Sequence, residues 1–168
     1  MSHNVLGRRT LAMILAAALV IAVLSPVGVT GAAAARPTSA SGTFKYSGDA
    51  TSCRPAGGNT ICAFAATVVT YTGTFDGTSI GPNILIIHAD GSANFHGIYT
   101  FTGTVNGIPG TVTFEAHGAG TSDLQFQATL TSIRGTGALA NLHAVIKQVG
   151  TVADHPLGTY TAWLHFDR

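Results

Sequence analysis

The sequence predicts an all-β domain of eight short strands, built as a sandwich or a barrel. Three observations predict it. Glycine and threonine are abundant while long charged helix formers are scarce. β-Branched side chains suit a pleated surface, and glycine supplies positive φ at turns. Three dipeptides, Asp76-Gly77, Asp90-Gly91 and Asn106-Gly107, stand between alternating segments, where short hairpins need residues that tolerate positive φ. No long helical period runs through the chain after residue 36.

Residues 1–35 read as a secretory signal peptide. Arg8 and Arg9 form a positive start, an apolar run covers residues 11–24, and Ser25-Pro26 breaks it. Ala33-Ala34-Ala35 offers a small-residue cleavage site before Arg36. The apolar run is short for a membrane span, so cleavage is expected over an uncleaved anchor. The two arginines lack the rest of a twin-arginine pattern, and no cysteine near the site suggests a lipid anchor. The expectation is a secreted or extracytoplasmic protein, with no stable membrane span after cleavage. Of the eight Lys and Arg, Arg8 and Arg9 leave with this segment, so six basic side chains face seven acidic ones. A chain so close to neutral has no electrostatic footprint for nucleic acid.

A linker at 36–40 leads into the domain at 41–168. Its strands are expected at 41–48, 63–75, 83–89, 93–105, 109–118, 122–133, 142–150 and 158–167. Asp76-Gly77 is expected to turn the second into the third, and Asp90-Gly91 the third into the fourth. Asn106-Gly107 closes the central hairpin and fixes its register. Val105 then faces Ile108, Phe101 faces Val112, and Tyr99 faces Phe114 on an apolar side. Thr102 with Thr111, Thr100 with Thr113, Ile98 with Glu115 and His96 with His117 make the polar side. Pro109 is tolerated because its missing N–H points away from this partner. Leu124, Phe126, Ala128 and Leu130, then Tyr160, Ala162, Leu164 and Phe166, repeat the apolar alternation.

The two cysteines, Cys53 and Cys62, enclose Pro55 and Gly57-Gly58. In an exported chain this pair is expected to be a disulfide closing a small loop.

The block "FHGIYTFTGTVNG", with "GTVTFEAHG" and the following "GTGALANLHA", resembles a family of small bacterial proteins, exported or cytosolic, built on a domain of unknown function. These are grouped with the allene oxide cyclase-like barrels and are similar in architecture to plant dirigent proteins. The resemblance spans residues 67–167. It implies an eight-stranded antiparallel up-and-down barrel, calycin-like, with a central pocket. It also implies that Gly135-Thr136-Gly137 makes a tight turn before Leu139 and Asn141-Leu142. Family members often carry a glutamate where this chain has Tyr99, and a histidine where it has Ala116. An enzymatic role resting on those groups does not carry over.

Chemistry-bearing clusters are few. His96, Glu115 and His117 lie near one another on the polar side of the hairpin, a combination that can hold a metal. The register pairs Glu115 with Ile98 and not with either histidine, so the expectation is solvated side chains and no metal. His88, His143, His155 and His165 are scattered along other segments without an accompanying acid or nucleophile. No G-x-S-x-G elbow and no phosphate loop occurs.

The inward aromatic residues carry the functional expectation. Tyr71, Phe95, Tyr99, Phe101, Phe114, Phe126 and Tyr160 are expected to line a ligand site, with Phe166 on the same face. Gly73, Gly97, Gly103, Ala116, Ala128 and Ala162 lie among them, leaving room. A barrel of eight strands either fills with side chains or holds one small ligand. The reading taken forward is an exported barrel that binds a small apolar or amphipathic molecule without a cofactor. The alternatives are a cyclase or isomerase using hydrogen bonds from Tyr99 or Tyr160, and a non-catalytic envelope module that forms homo-oligomers through its walls.

Overall fold

A computed structural model describes residues 36–152 and 157–167. The expected signal segment and His155 lie outside the described residues. The described chain contains no helix. Its strands are β1 (Thr38–Ser47), β2 (Ser52–Ala56), β3 (Asn59–Gly73), β4 (Phe75–Ile87), β5 (Ala93–Val105), β6 (Ile108–Gly120), β7 (Gln125–Gly137), β8 (Leu142–Thr151) and β9 (Leu157–Phe166). Each of β3 to β9 pairs antiparallel with its sequence neighbours, and β1 pairs with both β9 and β3. That double pairing closes the sheet into an eight-stranded barrel and excludes a sandwich. β2 is the extra piece. It occupies the edge of β3 from Asn59 to Ala63, while β1 takes the same edge from Val68 to Gly73.

The central hairpin has the register that its turn dictates, from Val105 opposite Ile108 to His96 opposite His117. Asn106 (φ 52°) and Gly107 (φ 78°) both adopt the left-handed conformation of a two-residue hairpin loop. Pro109 lies one residue beyond Gly110, the last β6 residue paired with β7, so its missing N–H breaks no ladder.

Other boundaries differ from expectation. Asp76-Gly77 is no turn: the chain reverses at Thr74, and both residues already pair within β4. Gly77 is glycine because a Cβ there would lie 2.4 Å from Thr102 O, so the residue serves close strand approach. β4 is correspondingly longer than the expected 83–89. Pro82 is accommodated opposite a bulge in β3 between Phe64 and Thr67. Gly135, Thr136 and Gly137 are the end of β7, paired with Val112, Thr111 and Gly110. The turn follows them, and it folds Leu139 inward, where a Cβ on Gly135 would collide with its carbonyl. Leu124 precedes β7 with φ 65° and is half exposed, so the inward series starts at Phe126. The segment between the cysteines is a hairpin with Cys53 directly opposite Cys62, and the two are bonded. With a sequence separation of 9, such a crosslink contributes about 2–3 kcal/mol by the chain-entropy estimate.

The interior divides along the barrel axis. At the end made by the turns at Thr74, Asn106-Gly107 and Leu139, the barrel is solid. Phe75, Phe101, Phe114, Val105, Val112 and Leu139 are buried there. Phe75 meets the rings of Phe101 (5.6 Å) and Tyr160 (5.9 Å) edge to face. Its N–H donates to Tyr160 Oη at 2.9 Å. The outer wall carries the threonine columns together with exposed Ile80, Ile84, Ile98, Val145 and Trp163.

This division predicts unequal truncation costs. Phe101→Ala, in the solid end, is expected to cost about 3–5 kcal/mol. Phe95→Ala, on a half-buried ring at the other end, is expected to cost about 1 kcal/mol. Urea unfolding of both variants checks this, and equal losses would mean that the interior is packed uniformly.

Candidate functional site

The opposite end of the barrel is hollow. A cavity of about 480 Å³ lies between β3, the C-terminal halves of β1, β4, β6 and β8 and the N-terminal halves of β5 and β7. Its wall includes Phe44, Val69, Leu85, Phe95, Phe126 and Leu130, and Leu124 and Thr121 stand at the rim. Three of its aromatic rings lie against the wall. Phe44, Phe95 and Phe126 lie directly across a strand pair from Gly158, Gly118 and Gly150. A Cβ on those glycines would fall 2.7, 2.5 and 2.9 Å from the facing ring. Each ring therefore lies back over its glycine instead of reaching toward the axis.

Of the seven aromatic residues expected at a site, Tyr71, Phe95, Tyr99 and Phe126 line the cavity. Phe101, Phe114 and Tyr160 do not: they belong to the solid end. Tyr71 marks the floor, since its ring also meets Phe101 (6.1 Å) and Tyr160 (5.6 Å). Ala116 lines the cavity as expected, but Gly97 and Gly103 add no room. Tyr99 Cε2 and Phe101 Cζ stand where their Cβ atoms would be, at 2.8 and 2.9 Å.

Sequence reasoning missed the polar groups of the cavity. Asn83 Nδ2 donates to Thr67 Oγ1 and to Tyr99 Oη, both at 2.8 Å. On another wall, Gln148 Nε2 donates to Tyr71 Oη at 2.6 Å. Among the described residues, Asn83 Oδ1 and Gln148 Oε1 accept no hydrogen bond, which leaves two amide oxygens as acceptors. The signal for Gln148 was its place between Ile146 and Gly150 on the inward face of β8; its polarity conceals that register. None of the described residues lining the cavity is Asp, Glu, Lys, Arg or His. Burial raises the phenol pKa values of Tyr71 and Tyr99, against the smaller opposing effects of Gln148 on the first and of Asn83 and Thr67 on the second. Both stay neutral as hydrogen-bonding groups and are poor acids.

The histidines lie elsewhere. His96 Nε2 contacts Glu115 Oε1 at 2.9 Å, a diagonal reach across the hairpin, although the backbone pairs Glu115 with Ile98. His96, Glu115 and His117 are exposed on the outer wall and do not converge on one point. His88 contacts Asn59 Oδ1 (3.2 Å) and Asn94 Nδ2 (2.7 Å) at the open end. His143 and His165, expected to be scattered, are cross-strand partners.

Residues 40–153 match DUF3224, a family described as protein of unknown function. The chain belongs to the DUF3224 family. The fold of this DUF3224 domain is similar to the crystal structure of a family member of unknown function from Shewanella oneidensis MR-1. The two superpose with a TM-score of 0.63 at 21% identity, covering 79% of this chain and 98% of that one. At this identity the likeness concerns the fold. No curated protein matches the sequence. Among the described residues, no helix is long and apolar enough to cross a membrane.

The phenols give a pH dependence. All four tyrosines have raised pKa values, with burial the leading cause, and Tyr46 is pushed up to about 12. A phenol that holds its proton more tightly in the folded state contributes full stability below the ordinary tyrosine range. That contribution is lost as pH rises through and above about 10. Stability is therefore expected to be level through neutral and mildly alkaline pH and to fall above about pH 10. Phenolate absorbance should then appear together with loss of the native circular dichroism signal. Reversible ionisation of the tyrosines near pH 10 in folded protein would contradict the assignment.

Proposed function

We infer that this DUF3224 protein is an exported binding protein for a neutral, mostly apolar small molecule that carries a hydroxyl group. The observation that supports this most is the absence of any charged or imidazole side chain among the described residues lining the cavity. An ionised ligand group entering such a space loses its hydration without gaining a partner, which is strongly unfavourable. A hydroxyl fits, because Asn83 Oδ1 and Gln148 Oε1 are acceptors without donors. The volume suits one small molecule. The Cys53–Cys62 bond and the layout of residues 1–35 support function in an oxidising, extracytoplasmic compartment. A cyclase or isomerase reading draws only on Tyr99 at the cavity wall, since Tyr160 is engaged by the Phe75 N–H in the solid end.

The test is competition for a neutral fluorescent apolar dye. A long-chain alcohol is expected to displace the dye at least about tenfold more effectively than the carboxylate or the ammonium of equal length, a difference of about 1.4 kcal/mol. Ala116→Phe should remain folded at a cost of about 1–3 kcal/mol and lose dye affinity, because the new ring occupies the cavity. Equal competition by the carboxylate, or undiminished dye binding by folded Ala116→Phe, would overturn the reading.

A further inference from the structure

A second constellation lies at the other end of the barrel, on the outer wall. Leu142 pairs with Phe166 and Ala144 with Leu164 across β8 and β9, and these side chains pack toward the core. Alternation therefore turns the pair between them, His143 and His165, outward. Their rings stack with centroids 4.9 Å apart and planes 11° from parallel. Asp167 follows directly on β9, and its N–H donates to Asn141 O at 3.0 Å, which fixes where its side chain starts. The carboxylate meets both rings: Oδ2 lies 2.9 Å from His143 Nε2 and Oδ1 lies 3.6 Å from His165 Nε2. One donor atom from each residue falls within 4.8 Å of the others.

We propose that His143, His165 and Asp167 form a surface binding site for a divalent transition-metal cation of the Zn²⁺ type. Two imidazoles and one carboxylate suit Zn²⁺, Cu²⁺ or Ni²⁺ and do not suit Ca²⁺ or Mg²⁺, which take oxygen ligands. Bonds of about 2.0–2.2 Å to each donor require the three atoms to close around the ion. All three side chains are at least a third exposed, so that adjustment meets no packing. The exposed side leaves the remaining coordination positions to water. Each imidazole ligates in its neutral form. The ordered backbone on both strands pre-positions two ligands, and the Asn141 contact pre-positions the third.

Sequence reasoning passed over this site because the two histidines are far apart in the chain. The test is a Zn²⁺ titration of the exported protein, followed calorimetrically and by the histidine ring resonances in NMR. One equivalent is expected to bind, moving the resonances of His143 and His165 before those of His88, His96 and His117. His143→Gln, His165→Gln and Asp167→Asn should each weaken binding about tenfold or more. His96→Gln should bind as the parent does, and Ca²⁺ should leave all these resonances in place. Absence of binding by the parent at millimolar Zn²⁺, or first movement of other histidines, would overturn the proposal. So would parental affinity in the His143→Gln/His165→Gln double variant. The resonance order in the parent decides the matter even where a variant folds poorly.

Discussion

The wall of the hollow half is built on one repeated contact, an aromatic ring laid over a glycine directly across a strand pair. Phe44 over Gly158, Phe95 over Gly118 and Phe126 over Gly150 are three instances around one end. In a barrel of eight strands, large inward side chains can meet at the axis and fill it. Here the facing position offers no Cβ, so the ring finds its van der Waals partner in the wall. The result is a wall that is closely packed and a lumen that is not. A methyl group at any of these glycines meets both the ring and a carbonyl oxygen of the neighbouring strand at less than 3 Å.

The solid half makes that arrangement sustainable. An isolated hollow barrel would have little buried apolar surface to hold its strands together. Phe75, Phe101 and Phe114, capped by Leu139, concentrate burial at one end. The β1–β3 pairing closes the edge at which the sheet would otherwise open, and the Cys53–Cys62 crosslink holds β2 on β3. Packing and open space are thus separated along the axis, and the open end carries Asn83, Gln148 and the phenols of Tyr46, Tyr71 and Tyr99. The His143, His165 and Asp167 cluster on β8 and β9 lies outside the wall and belongs to neither interior region.

Local turn chemistry made the central hairpin legible residue by residue. Asn106-Gly107 permits one loop, and every pair outward from it follows by alternation. Asp76-Gly77 looked equivalent and misled, because glycine in a strand admits a close neighbour as readily as it admits a turn. The inward aromatic set was legible as a set, but its division was not. Phe95 and Phe101 sit on the same face of the same strand, but their partners on β6, Gly118 and Val112, differ. For β7 and β8 that partner depends on long-range register, which no short loop announces. The same gap concealed His143 and His165. Each lies between two inward residues, which shows that both face out, but their meeting depends on the β8–β9 pairing.

The lumen is hollow at one end and solid at the other. Crystals of the protein equilibrated with xenon test this most directly, because a dry apolar cavity takes up the gas while a packed core does not. The account predicts xenon within the ring formed by Phe44, Phe95, Phe126 and Leu85, and none between Phe75, Phe101 and Phe114. An end near Phe95 and Phe126 that holds no xenon because collapsed side chains fill it would contradict the account.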